Sequence, residues 1–227
     1  MTGPVRSSKS ALAVLVCFAV REEAAAFRKN LSSFSNVTIF VSGMGKRNAE
    51  REIRRALQQQ KFELVLTCGF AGGLDPQFQI GDVLFDIAGD AALTESLHQA
   101  GGLPAKFHCA DRVAVTVQEK AALRELTKAD AVEMESSIIR QICRDQKIPS
   151  ATLRVISDPA NEDLPLDFNA LMTADQNLSI PSLIVALVKS PGKIPALMQL
   201  QRNTSFAAKR LAQVLESLLR SLGNARA

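Results

Sequence analysis

Thr152-Leu153-Arg154-Val155-Ile156-Ser157-Asp158-Pro159 is an apolar strand that stops on a carboxylate and then a proline. Proline cannot continue a central sheet ladder, and in open α/β sheets ligands sit outside the carboxyl ends of strands. Asp158 therefore stands where catalytic acids gather. Some twenty residues upstream, Ala131-Val132-Glu133-Met134-Glu135-Ser136-Ser137 makes a second such place. There an apolar approach ends on acidic residues that also open a helix. Two carboxylates brought to one rim point to chemistry at a sugar or a base.

Outward from these stretches, apolar runs alternate with amphipathic segments, the pattern of strands joined by crossover helices. Strands are expected at Ala11–Val20, Val37–Val41, Leu64–Cys68, Val83–Ile87, Val113–Val117 and Thr152–Ser157, and helices at Glu22–Leu31, Asn48–Gln60, Gln118–Leu126 and Glu135–Gln146. Gly89–Pro104 reads as irregular. After Pro165 the chain changes character: Pro181–Lys189 and Ile194–Leu222 read as two helices broken by Ser190-Pro191-Gly192. In the last helix Ala207, Leu211, Val214, Leu215, Leu218 and Leu222 form one apolar stripe, which is expected to pack on the sheet or on a partner subunit. Its alternative use is membrane contact.

The 227 residues suit one α/β domain, with a flexible start over 1–10 and the domain over 11–227. With 47% apolar and 22% charged residues the chain can bury a core. Cys17, Cys68, Cys109 and Cys143 are scattered, which supports neither a zinc site nor a disulfide framework and fits a reducing cytoplasm. His98 and His108 lie in no site motif. Arg6 and Lys9 ahead of Ala11–Val20 mimic a signal peptide, but Arg21-Glu22-Glu23 occupies the place of an uncharged cleavage region. A first buried strand is the better reading. The net charge of +4 is uneven: residues 189–227 carry +6 and the preceding 188 carry −2. A basic amphipathic end suits an acidic membrane surface. With no Trp or Tyr to stack on bases, nucleic acid is not expected as a partner.

Two glycine-rich stretches follow strands. Ser42-Gly43-Met44-Gly45-Lys46-Arg47-Asn48 precedes a helix, so the backbone N–H groups at Gly43 and Gly45 are candidates for holding an anion. As a dinucleotide fingerprint it lacks the third glycine, where Asn48 stands. Cys68-Gly69-Phe70-Ala71-Gly72-Gly73-Leu74-Asp75-Pro76 reads as a second turn, and Gly81-Asp82-Val83 launches the next strand.

In this order the segments Arg21-Glu22-Glu23, Ser42-Gly43-Met44-Gly45-Lys46, Cys68-Gly69-Phe70-Ala71-Gly72-Gly73-Leu74, Ile80-Gly81-Asp82-Val83, Val132-Glu133-Met134-Glu135 and Arg154-Val155-Ile156-Ser157-Asp158 resemble the nucleoside phosphorylase superfamily. The resemblance is to its methylthioadenosine/S-adenosylhomocysteine nucleosidase branch and covers roughly residues 11–170. The remainder, with Ser179-Ile180-Pro181 and Lys189-Ser190-Pro191-Gly192-Lys193-Ile194-Pro195-Ala196-Leu197, is similar to the tail of hopanoid-associated phosphorylases.

That resemblance implies a three-layer α/β/α sandwich with a mixed central sheet, and an enzyme that breaks the N-glycosidic bond of an adenosine-type nucleoside bearing a 5′ substituent. Adenosylhopane is the leading substrate and methylthioadenosine or S-adenosylhomocysteine the alternative. It implies no cofactor, with inorganic phosphate a possible co-substrate, and a homodimer in the cytoplasm. Asp158 would deliver a proton to the purine, its carboxyl kept protonated by burial. Glu135 would accept hydrogen bonds from the ribose hydroxyls and Met134 would line the sugar's apolar face. Glu23 would bind the attacking water and take its proton, with Arg154 ordering it. Glu133, Phe70, Gly72 and Ser157 would complete the substrate site. Arg21, with Gly43 and Gly45, would hold phosphate if phosphate is the nucleophile. The chain departs from the pattern at Phe70, where the nucleosidases have a small hydroxyl residue, and at Asn161, where they have an acid. A catalytically silent nucleoside or lipid binder and a nicotinamide-dependent oxidoreductase are the rival readings.

Overall fold

The computed structural model describes residues 12–173, 185 and 190–224. Its elements in chain order are β1 (Val14–Phe18), α1 (Arg21–Arg28), β2 (Val37–Val41), α2 (Lys46–Gln59), β3 (Leu64–Gly73), β4 (Val83–Ile87), α3 (Ala91–Gln99), β5 (Leu103–Pro104), β6 (Phe107–Cys109), α4 (Val117–Thr127), β7 (Ala131–Glu133), α5 (Ser136–Asp145), β8 (Ser150–Asp158) and α6 (Ile194–Asn224).

The sheet runs in the order β2-β1-β3-β8-β4-β5. It is mixed: β4 is antiparallel to β8, whereas β1, β2, β3 and β8 run parallel. Period-2 alternation sorts the strands between two helical layers. Val14, Val16, Phe18, Leu66 and Leu153 pack with α1, α3 and α6, while Leu15, Cys17 and Val65 face Ala49 and Ile53 of α2 and Ile139 and Ile142 of α5. This is the expected three-layer α/β/α sandwich.

β3 decides where a site can form. Its first half pairs with β1 over Leu64–Thr67, and its far end pairs with β7 at Gly72 and Gly73. Along its other edge β8 follows it throughout, with a register shift between Ala71 and Gly72. One edge of β3 is thus free of strand pairing between Thr67 and Gly72, and the chain opens there into a cleft. The glycine-rich stretch read as a turn is instead extended strand up to Gly73.

Two other expectations change. Val113–Val117 is not a strand: Thr116 Oγ1 accepts from the Glu119 N–H (3.2 Å) while Glu119 accepts from the Val115 and Thr116 N–H groups, so Val117 opens α4 through a capping box. Val113 is held by Asn169, which accepts from its N–H and donates to its carbonyl. Gly89–Pro104 contains α3, capped by Asp90 and buried through Leu93 and Leu97. The short strands β5, β6 and β7 carry no alternation long enough to read. The expected helix over Pro181–Lys189 lies outside the described residues apart from Val185, as does the start over 1–10.

The apolar stripe of α6 packs on the sheet and on α1, with Ala207, Leu211, Val214, Leu215 and Leu218 buried and Leu222 half-buried. Among the described residues no helix is long and apolar enough to cross a membrane. Leu215 is fully buried. Its truncation to alanine is expected to cost about 2–5 kcal/mol of stability in urea unfolding, as a cavity in a packed core does.

Candidate active site

Arg154 sits at the middle of β8 with its guanidinium 1% exposed. Nothing apolar can hold a charge there, so the surrounding elements supply carboxylates. One guanidinium nitrogen, Nη2, donates to Glu133 Oε2 at 2.6 Å and to Glu135 Oε2 at 3.4 Å. A third carboxylate, Glu23, faces the same guanidinium across Gly69: a Cβ on that glycine would lie 2.5 Å from both Arg154 Nη1 and Glu23 Oε1. Burial works against the charge of Arg154, but Glu133, Glu135 and Glu23 outweigh it and drive its pKa up.

The three carboxylates are not equivalent, because each has a different set of partners. Glu133 ends β7 and receives the Glu135 N–H, the Ser136 N–H and hydroxyl, and Arg154. Burial raises its pKa, but Arg154 and these hydrogen bonds reverse the shift and hold it below the ordinary value. Although expected to contact substrate, Glu133 has its acceptors engaged by α5 and Arg154. Among the described residues Glu135 accepts only the Gly45 N–H (2.9 Å) on Oε1 and the long Arg154 contact on Oε2. Burial, only partly opposed by Arg154 and assisted by the charges of Glu133 and Glu23, pushes it up to about 7.

Glu23 lies in the first turn of α1, where a carboxylate is expected to point to solvent. It turns inward instead and is 5% exposed. Oε2 accepts the Ala19 and Val20 N–H groups at 2.8 and 3.0 Å, and Oε1 accepts the Phe70 N–H at 2.8 Å across the open edge of β3. Burial raises its pKa against the pull of Arg154 and these N–H groups.

Asp158 stands at the end of β8. Its Oδ1 accepts the Ser157 hydroxyl at 2.8 Å, and its Oδ2 lies 2.7 Å from the ammonium of Lys120, which is wholly buried. The expectation for Asp158 rested on burial, whereas the structure pairs its carboxyl with a buried cation. Gly72 makes room for it, since a Cβ there would be 3.1 Å from Oδ2.

Glu23, Phe70, Gly72, Glu133, Met134, Glu135, Ser157 and Asp158 all line one cleft of about 190 Å³ at the open edge of β3. Phe70 is its aromatic wall among the described residues. Arg154 lies beneath the floor. The candidate phosphate ligands are placed otherwise. Arg21 is exposed at the start of α1 and does not line the cleft. Gly43 and Gly45 both adopt positive φ, which lets the loop turn back, but the Gly43 N–H is engaged by the Ala19 carbonyl and the Gly45 N–H by Glu135. The loop serves to hold Glu135 and to place Met44 in the wall, not to cradle an anion. Asn161 is exposed. Lys120, Arg112, Val113 and Met44 were missed by sequence reasoning. A lysine within a helix ordinarily marks a solvated face, so Lys120 carried no signal.

The profile of the Phosphorylase superfamily matches residues 17–92 and 85–220. The chain belongs to this superfamily. Among its relatives, 5′-methylthioadenosine/S-adenosylhomocysteine nucleosidase of Marinomonas is 29% identical, over 64% of this chain and 78% of the relative. Among solved structures of similar fold, futalosine hydrolase of Helicobacter pylori superposes with a TM-score of 0.70 at 17% identity, covering 93% of this chain and 98% of that one. The 5′-methylthioadenosine/S-adenosylhomocysteine nucleosidase of Campylobacter jejuni gives 0.69 at 18%, covering 93% and 100%.

Within this superfamily member, the closest tolerance in the site is at Gly69. Gly69→Ala would force apart Glu23 and Arg154 and is expected to lower stability by about 1–3 kcal/mol, the range for overpacking. Gly223→Ala, where nothing lies within 4 Å, should be neutral in the same urea titration.

Proposed function

We propose that the protein hydrolyses the N-glycosidic bond of an adenine nucleoside carrying a 5′ substituent, releasing adenine. The observation that carries this reading is that Asp158, ending β8, and Glu135, just after β7, face one cleft from strands that pair with opposite edges of β3. An ionised carboxylate has about four acceptor positions. Glu135 uses two inside the protein, leaving two for the two hydroxyls of a ribose. Glu23 uses three on backbone N–H groups, leaving one for a water.

The steps follow from these vacancies. The bond between C1′ and the purine nitrogen breaks with its electron pair leaving on the base, and Asp158 gives a proton to the purine ring. Positive charge builds on the sugar, the oxocarbenium character met by paired carboxylates in glycoside hydrolysis. Water bonds to C1′ as Glu23 takes its proton, which then passes to solvent while Asp158 is reprotonated. Met134 lines the sugar face and Phe70 the wall beside the base.

Water is favoured over phosphate as nucleophile because three carboxylates surround one guanidinium, an excess of negative charge that repels a phosphate dianion. Arg21 and the two glycines offer that anion nothing. The adenine-nucleoside substrate class rests on the nucleosidase relatives. For the 5′ substituent we propose a lipid group such as that of adenosylhopane. It is supported by Ile194, Met198 and Phe206, exposed on α6 beside Lys193 and Arg202 as a surface suited to peripheral contact with an acidic membrane. Methylthioadenosine or S-adenosylhomocysteine is the competing substrate, favoured by the relatives' names. We further propose a cytoplasmic homodimer.

Adenine release from methylthioadenosine and from a lipid-linked adenosine, with and without phosphate, tests the reading. Turnover independent of phosphate and faster on the lipid nucleoside is expected, and faster turnover of methylthioadenosine removes the lipid. No release from any adenine nucleoside would leave a binding protein. Asp158→Asn should lower kcat by about 10²–10⁴-fold, the contribution of a general acid, with nucleoside affinity in equilibrium titration largely kept.

The pH dependence has a definite sign. Glu135 must be ionised to accept two hydroxyls, and its value of about 7 in the free protein makes kcat/KM rise with pH up to about 7, close to tenfold per unit on the acid side. In the absence of ligand the same raised value means that the contribution of Glu135 to stability is fully present below its ordinary carboxylate range and is lost as pH rises through about 7.

A further inference from the structure

Lys120 is the side chain in the site that packing least explains. Its ammonium is completely buried, and burial of an ion costs several kcal/mol unless every proton is met. All three are: by the Pro159 carbonyl at 2.7 Å, the Glu162 carbonyl at 3.0 Å and Asp158 Oδ2 at 2.7 Å. The first two contacts fasten the segment after β8 to α4. That segment is already fastened there without the lysine, because Asp163 accepts the Val117 N–H at 2.7 Å and the Leu164 N–H donates to the Val115 carbonyl at 2.8 Å. The third contact reaches the cleft.

We propose that Lys120 is a positioning residue for the proton donor. With Ser157 on Oδ1 and Lys120 on Oδ2, the carboxyl of Asp158 is gripped on both oxygens and cannot rotate. As the glycosidic bond breaks, the proton moves from the Asp158 carboxyl to the purine ring and leaves a carboxylate behind. That new charge forms 2.7 Å from an ammonium already in place, so the contact is stronger in the transition state than before it, the condition for lowering the barrier. The inference rests on the nucleosidase reading above and names a partner for its acid.

The test uses two substrates of the full-length protein. Release of adenine from 5′-methylthioadenosine needs a protonated leaving group, whereas release of p-nitrophenolate from p-nitrophenyl β-riboside does not. Lys120→Met removes the charge and keeps the length. It is expected to lower kcat on methylthioadenosine by about 10²-fold or more, with KM little changed, while kcat/KM on the nitrophenyl riboside falls less than about tenfold. Asp158→Asn should show the same bias, and the double variant should lose little beyond Asp158→Asn alone, as coupled residues do. Should Lys120→Met not fold, Lys120→Gln, which retains donors for the carbonyls, is measured in its place. Equal losses on both substrates would make Lys120 a structural anchor and overturn the proposal, as would an unchanged kcat. Unmutated protein that cleaves the nitrophenyl riboside but no adenine nucleoside would instead overturn the underlying reading, and this inference with it.

Discussion

A buried arginine in the middle of the sheet organises this protein. Arg154 lies in the central sheet where a guanidinium is tolerable only if carboxylates come to it, and they come from two directions in the chain. Glu23 arrives from the first turn of α1, while Glu133 and Glu135 arrive from the junction of β7 and α5. Each of the three also fastens a piece of backbone. Glu23 ties the end of β1 to β3, Glu133 starts α5, and Glu135 holds the loop before α2. Gly69 is the clearance that lets Glu23 face the cation. Removing the charge would leave three like charges facing one another without a counter-ion.

The same imbalance gives the cleft its chemical character. Three carboxylates gathered at one guanidinium give the floor of the cleft its acidic character. Asp158, the proposed proton donor, is kept apart from this floor. It has its own cation, Lys120, and its own strand end, so it is separated in environment from Glu133 and Glu135 though they share a cleft. That separation is the general condition for carboxyl groups to play opposite parts in one reaction.

The cleft exists because β3 changes partner along one edge. Pairing with β1 ends at Thr67 and pairing with β7 begins at Gly72, leaving a stretch whose Phe70 N–H binds Glu23 rather than a neighbouring strand. The register shift against β8 at this point brings Asp158 opposite Gly72. Strand pairing, which elsewhere builds the core, here sets the distance between Asp158 and Glu135 across the cleft.

Much of this is legible in the chain. Val37–Val41 and Val83–Ile87 declare themselves as strands by local apolar content, α2 and α6 by their 3.6-residue stripes, and Asp158 and Glu135 by standing where apolar runs end. These are signals within a few residues, and local propensity and periodicity carry them. Asp90 with Leu93 and Leu97 is an equally local signal, masked by the irregular composition around it. The remainder depends on who meets whom. Val113–Val117 has strand composition but loses its backbone to Asn169 and Glu119. The Gly43 and Gly45 loop has the look of an anion site but has its N–H groups taken by Ala19 and Glu135. Glu23 and Lys120 have the look of solvated helix residues, yet both are buried, because each finds an opposite charge contributed by β8. The order of strands, helices and carboxylates is thus written in the sequence itself. Which charges are paired, which acceptors stay vacant and which cation attends the acid were decided only by tertiary contact, since a charge becomes tolerable in the interior only when a partner distant in the chain is brought to meet it.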